Sequence, residues 1–358
     1  MLRVGIFAPY CRNETTLAAT QFADWLVRVG IDVAYLAEGR VGSGIHPAWD
    51  ESVVRHSGAI SAYRWAYGAT HLCWFSPNAK VFRESKVVAS ASQRQFTRQL
   101  YFPNWVNWND RCVDFMDMSD RVISLSRDMH LWLKDKVPVN FLQGERTWGN
   151  LISPDLVLSP RHGFLDEDVK RLLAVIPRAA MQDVGPRLLD VFDFLLSTHS
   201  DLELTLLLES SWPRRYRRKV SRMNRIYGNC IRVIKSPAYY SYSEHIRSQD
   251  WIYVCNTRHH YGSLLSSIGL CGVPLIAHDV PPVGSHIQDR VNGRLIPCEL
   301  GAGSYPIASV RSEDIAETLD SILLEDSLYL KTLQLQSRVV LDRRQQSFEK
   351  MILKEFVE

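Results

Sequence analysis

Residues 250–297 read DWIYVCNTRHHYGSLLSSIGLCGVPLIAHDVPPVGSHIQDRVNGRLIP, and the order of patterns in this stretch decides the fold. Residues 251–255 form an uncharged run bounded by polar residues, the mark of a parallel strand buried on both faces. The chain turns through 256–261 to Gly262, and 263–270 then carry apolar residues at helical spacing. A strand that feeds a helix through a glycine leaves unpaired N–H groups and the positive end of the helix dipole where a phosphate can sit. Cys271 and Gly272 end the helix, and 273–277 make the next strand. A loop with Asp279, two prolines and Gly284 leads to a Val291-Asn292-Gly293 turn and a last strand at 294–297.

Working outward, the N-terminal half alternates in the same way. Strands are expected at 3–9, 32–37, 70–75, 86–91, 121–125 and 139–142, with helices at 16–29 and near 51–67. The pattern lapses into Gly, Pro, Trp and Ser around 143–166, which reads as a linker. Beyond it come strands at 171–176, 203–208, 230–234 and 251–255 with helices between, then helices at 315–324 and 327–356. Alternation of this kind predicts two doubly wound parallel sheets. In the usual strand order the first and fourth strands lie side by side at the topological switch point, so Arg178 and the 256–262 elbow are expected to face one crevice. The expected domains are 1–155, 166–330, and a C-terminal helix, 331–358, that packs back on the first.

A chain of 358 residues with 46% hydrophobic content can supply two cores. The first strand begins almost at Met1, so no secretory signal is expected, and no run approaches the ~18 apolar residues of a membrane span. A cytoplasmic protein is the expectation. The seven cysteines are scattered with no Cys-x-x-Cys pair, which predicts free thiols and no zinc site. Net charge is +3, yet residues 211–243 carry nine basic side chains and no acidic one, leaving −6 for the other residues. Such a run is either a solvated helix or a polyanion contact; Arg214, Arg217 and Arg218 are its candidate contacts.

The segment 261–297 resembles the C-terminal domain of retaining GT-B glycosyltransferases, the large mannosyl- and glucosyltransferase group. Gly262, Cys271-Gly272-Val273-Pro274, Asp279, Asp289, Val291-Asn292-Gly293 and Pro297 carry the likeness. RLLAVIPRAAMQDVGPRLLDVFDFLL is similar to the first strand, basic elbow and helix of that domain, and MSDRVISLSRDMHLWL resembles the last strand and helix of the N-terminal one. The resemblance implies an α/β GT-B fold: two Rossmann-like doubly wound domains facing a central cleft, with a C-terminal helix crossing back to the first. It also implies a nucleotide-diphosphate sugar, a UDP-sugar, as co-substrate, with no metal or other cofactor. Arg178 stands at the position of the family's phosphate-binding arginine, and Arg187 loosely takes the place of its lysine. The family's two glutamates, eight positions apart, are replaced here by His259 and Ser267. Ser92, in KVVASASQ, stands where the family often has a histidine.

Transfer from a nucleotide sugar needs the leaving diphosphate's charge stabilised by cations, helix N-termini or a metal. Arg178, His259 and Glu14 are the catalytic candidates. Arg178, Arg187, Asn256, Thr257, Tyr261, Gly262, Ser263 and Ser267 are candidates to bind the donor. Each has a plainer reading: a loop arginine, a helix-surface arginine, a solvated histidine. Asn13 and Thr15 read as caps of the first helix, while Glu14 beside them suggests a distinct acceptor site. Between residues 94 and 111, Arg94, Arg98 and Arg111 interleave with Phe96, Tyr101, Phe102, Trp105 and Trp108. Exposed, these rings would stack on bases; buried, they form a packing cluster.

Three functional readings follow. The first is a glycosyltransferase whose acceptor is a hydroxymethylated pyrimidine in duplex DNA, because the basic segment suits phosphate neutralisation and the first helix region loosely resembles phage DNA α-glucosyltransferases. Asn13, Glu14, Thr15, Ser92, Trp105, Trp108, Arg214, Arg217 and Arg218 are then the acceptor-side candidates. The second is a glycosyltransferase of cell-surface polysaccharide or glycolipid synthesis. The third is a non-catalytic nucleotide-sugar or nucleic-acid binding protein of the same fold, given weight by the missing glutamates.

Overall fold

A computed structural model describes residues 2–9, 14–38, 53–55, 68–75, 98–103, 119–125, 127–134, 142–143, 169–177, 180, 184–208, 212–235, 242–257, 265, 268–280, 283, 286–301 and 308–357. These residues divide into two compact units. One draws on Met1–Asp155 and Arg343–Glu358, the other on Leu156–Tyr261 and Leu265–Asp342.

The first unit is built on seven parallel strands: β1 (Arg3–Pro9), β2 (Asp32–Glu38), β3 (Val53–Arg55), β4 (His71–Phe75), β5 (Arg98–Phe102), β6 (Arg121–Ile123) and β7 (Leu142–Gln143). Their order is β3-β2-β1-β4-β5-β6-β7. Helix α1 (Glu14–Arg28) buries Ala19, Phe22, Ala23 and Leu26, the i, i+3, i+4, i+7 stripe that an amphipathic helix lays on a sheet. Phe22 sits 5.5 Å from the Phe75 ring and 5.2 Å from Phe102, and those two rings stack at 4.4 Å. Gly30, at φ +82°, lets the chain leave the helix for β2. A second helix, α2, spans Arg127–Lys134.

Three expectations change here. The helix foreseen near 51–67 gives way to β3 at its start. There the β-branched Val53 and Val54 pair with Tyr35 and Leu36 and lengthen the sheet. Residues 56–67 and the strand expected at 86–91 lie outside the described residues. The strand beside β4 is β5, drawn from the basic and aromatic stretch, and its Tyr101 and Phe102 are 1% exposed. Those two rings pack the core and are closed to bases. Helix α1 begins at Glu14, so Thr15 lies inside its first turn rather than capping it.

The second unit orders its strands as β10-β9-β8-β11-β12-β13, again all parallel. They are β8 (Lys170–Ile176), β9 (Leu202–Leu208), β10 (Ile231–Lys235), β11 (Trp251–Val254), β12 (Leu275–His278) and β13 (Gly293–Ile296), with helices α3 (Gly185–Thr198), α4 (Arg214–Ile226) and α5 (Tyr242–Arg247) between them. Counting from β8, this is the 3-2-1-4-5-6 order of a dinucleotide-binding sheet. Leu172, Leu173, Ala174, Val175 and Ile176 are all buried, which is why the strand reads as an unbroken apolar run. Helix α3 faces it with Leu188, Phe192 and Leu195, each burial contributing about 1.5–3 kcal/mol. Two short strands, β14 (Glu299–Leu300) and β15 (Ala308–Ser309), pair antiparallel, and α6 (Ser312–Leu323) covers α3.

Two close approaches fix β12 and β13. Gly293 starts β13 where any Cβ would overlap the carbonyl oxygen of Leu275, so the Asn-Gly turn needs its glycine. The preceding Asn292 is fully buried; its Nδ2 donates to the His286 carbonyl at 2.9 Å and its Oδ1 accepts from the Gln288 N–H at 2.6 Å. Asp289 holds the Leu295 N–H at 2.9 Å. Three features that carried the resemblance therefore shape this turn.

The last helix, α7 (Ser327–Val357), serves both cores. Leu333 belongs to the second. Leu341 and Ser337 lie against Gly269, where a Cβ would overlap the Leu341 side chain. Phe348, Ile352 and Phe356, at i, i+4, i+8 spacing, enter the core of the first unit. Phe356 meets the His71 ring edge-on at 5.3 Å, and Glu355 bonds Arg98 at 2.6 Å with Arg121 3.8 Å away. His71, Arg98 and Arg121 stand at the N-terminal ends of their strands, so this latch is at the opposite sheet edge from any ligand site at the strand C-termini.

Candidate functional site

In an open parallel sheet, ligands bind beyond the strand C-termini at the switch point, which in the second unit lies between β8 and β11. The backbone there is already committed. The Cys255 N–H bonds the Val175 carbonyl at 3.0 Å, and the Ala308 N–H bonds the Thr257 carbonyl at 2.9 Å. Asn256 and Thr257 follow β11 and are each 1% exposed.

One polar network pins this edge. The Nδ1 of His278, at the end of β12, lies 2.6 Å from the carbonyl oxygen of Asn256 and therefore carries the proton. Its Nε2 then accepts from the Tyr253 hydroxyl at 2.7 Å, and the His278 backbone N–H donates to Asn256 Oδ1 at 3.1 Å. That bond fixes the orientation of the Asn256 amide and leaves its Nδ2 buried without a partner among the described residues. Such an orphan donor in an interior is costly unless a ligand or water meets it. Burial strips hydration from the charged imidazole and lowers His278 to about 4, against which the Asn256 carbonyl pulls only weakly. Burial likewise raises the Tyr253 phenol well above its ordinary value, with smaller contributions from Cys255. Both side chains are neutral near pH 7.

The sequence singled out Asn256 and Thr257 but missed Tyr253 and His278. The signal was a histidine ending the otherwise apolar 273–277 run, since a polar residue in a buried strand must find a partner. Arg187 is exposed on the first turn of α3, and Arg214, Arg217 and Arg218 are exposed on α4. Glu14 and Thr15 lie in the first turn of α1. Asn13, Ser92, Trp105, Trp108, Arg178, His259, Tyr261, Gly262, Ser263 and Ser267 lie outside the described residues. Among the described residues no group of three His, Cys, Asp or Glu could hold a metal ion, and no helix is long and apolar enough to cross a membrane. Cys73, Cys255 and Cys271 are buried, and burial raises the pKa of each of Cys73 and Cys271.

No protein-family model matches the sequence, and no curated protein matches it. Solved structures do. A glycosyltransferase from Rickettsia africae ESF-5 superposes with a TM-score of 0.70 at 12% identity over 99% of this chain and 97% of that one. An alpha-glucosyltransferase in complex with UDP and a 13-mer DNA containing an HMU base gives 0.65 at 12% identity over 100% of both chains. This chain has the GT-B fold. Anabaena HepE in complex with UDP-glucose shares that GT-B architecture with a TM-score of 0.66 at 11% identity, over 99% of this chain and 100% of that one. At such identities the likeness lies in the fold, and it extends end to end.

Proposed function

We propose that this GT-B chain is a glycosyltransferase that moves a sugar, with retention, from a UDP-sugar to the hydroxyl of a hydroxymethylated pyrimidine in duplex DNA. The observation that carries the reading is the full-length likeness to a protein held with both UDP and HMU-containing DNA. A second protein of the same fold, held with UDP-glucose, supports the donor class. The neutral, hydrogen-bonded strand edge at Asn256, where a buried amide donor awaits an acceptor, is chemically suited to an uncharged or anionic oxygen-rich ligand.

In this reading the second unit binds the donor and the first the acceptor. Arg178, two residues past the end of β8, and the N–H groups around Gly262 and Ser263 balance charge on the leaving diphosphate. Ser267 reaches a ribose hydroxyl, with Arg187, Thr257 and Tyr261 around the nucleotide. The acceptor oxygen bonds to the anomeric carbon as the carbon–phosphate oxygen bond breaks, and the departing diphosphate takes the acceptor proton, so no side chain need act as a strong base. Asn13, Glu14, Thr15, Ser92, Trp105 and Trp108 are assigned to the acceptor side, and His259 to the reacting groups. The reaction proceeds in the cytoplasm without a metal.

Incubating the protein with hydroxymethylated and plain duplexes and a panel of UDP-sugars, read by mass spectrometry, tests this directly. A hexose or pentose mass gain confined to hydroxymethylated DNA is expected. A gain on an oligosaccharide or lipid instead assigns a cell-surface acceptor, and donor binding without turnover on any acceptor assigns a binding protein.

A further inference from the structure

Helix α4 separates its side chains into two classes. Tyr216, Val220 and Met223 are buried in the core of the second unit. Arg214, Arg217, Arg218, Arg222 and Arg225, at i, i+3, i+4, i+8 and i+11, fall on the opposite face and are all exposed. None of the five pairs with an acid among the described residues. Of the nearby acids on α3, Asp190 bonds Lys219. Arg215 lies over the Tyr216 ring, 4.7 Å from its centroid. The next strand, β10, is the edge of the sheet and adds exposed Arg232 and Lys235.

The geometry points to this arginine face as a docking surface for the phosphate backbone of duplex nucleic acid. Charge complementarity is the first argument, since uncompensated arginines in a row repel one another unless an anion answers them. The choice of arginine is the second, because its planar fork meets phosphate oxygens two at a time. Length is the third: eleven residues of helix span roughly 16 Å, close to the axial rise of about five phosphates on one strand at ~3.4 Å each. A membrane surface is the poorer occupant. A helix that lies in a bilayer needs a free apolar face, and here all three stripe residues are consumed by the core, leaving only Ile226 exposed at the end. This surface deepens the DNA reading above but does not require glycosyl transfer, so it is tested with unmodified duplex and no sugar.

Binding of a fluorescent plain duplex to the full chain is measured from about 50 to 200 mM salt. Five phosphate contacts predict a log–log slope near −4.5 and a loss of affinity of about 500-fold across that range. Changing Arg214, Arg217 and Arg218 to Ala should flatten the slope by about 2.7. The control removes three positive charges elsewhere, from Arg343, Lys350 and Lys354, all exposed on α7. An unchanged slope in that variant is expected. Equal flattening in both variants, an unaltered slope in the α4 variant whose thermal unfolding matches the parent, or binding to phosphatidylserine vesicles without binding to duplex would each overturn the assignment. If duplex binds through α4 but no sugar is transferred, the docking surface stands and the glycosyltransferase reading falls.

Discussion

The hydroxyl of Tyr253 lies 2.7 Å from Nε2 of His278, on neighbouring parallel strands, with neither side chain open to solvent. With Nδ1 protonated by its contact with the Asn256 carbonyl, the imidazole can only accept from tyrosine, so the network runs in one direction: phenol to imidazole to backbone. The strand tip that carries the elbow is thus held by a chain of bonds whose members cannot rearrange independently.

Replacing Tyr253 with Phe leaves Nε2 buried and unpaired while keeping the ring's volume. A loss of about 1–3 kcal/mol in urea unfolding is expected. A stability equal to the parent's would mean that the hydroxyl contributes nothing to this edge.

His278 is depressed in the folded protein to about 4, whereas the unfolded chain takes up its proton near the ordinary 6.5. The unfolded state therefore binds more protons between these values. The contribution is fully present above pH 6.5 and is lost as pH falls toward 4, to a depth on the order of 3 kcal/mol. Stability profiles of the parent and of His278→Gln should converge by that amount on acidification; parallel profiles would remove the histidine as the cause.

Gly293→Ala sets a methyl group against the Leu275 carbonyl, a backbone atom that no rotamer change can move. Overpacking of this kind costs about 1–3 kcal/mol. A lowered thermal midpoint is the expected readout, and the neighbouring Gly272→Ala is a useful comparison because its strain comes from φ +77° instead.

Arg178→Ala should weaken UDP binding by about 1.5–3 kcal/mol, the range for a hydrogen bond to a charged group. Gly262→Val should abolish it if the backbone approaches phosphate there. Calorimetry that finds both variants binding like the parent would move the donor away from this elbow.

Much of this architecture is legible in the sequence for a simple reason. Strands buried on both faces, such as 172–176 and 251–255, are uncharged along their length. The turn at Val291-Asn292-Gly293 is equally plain, since its residue types carry the geometry. What escapes is pairing over distance. Periodicity cannot tell that His278 answers Tyr253 twenty-five residues earlier, nor that Arg98 will meet Glu355. Short edge strands such as β3 also escape, because three residues hold too little pattern to outvote a helical neighbourhood. The basic run around α4 was visible as charge, but only burial of Tyr216, Val220 and Met223 separates an aligned arginine face from a scattered one.

The closing helix has a consequence for how the chain is born. Phe348, Ile352 and Phe356 complete a core whose other members are drawn from the first 125 residues. Domains ordinarily fold in the order in which they leave the ribosome. Here the first unit must wait, with aromatic surface uncovered, until residues 348–356 have been made.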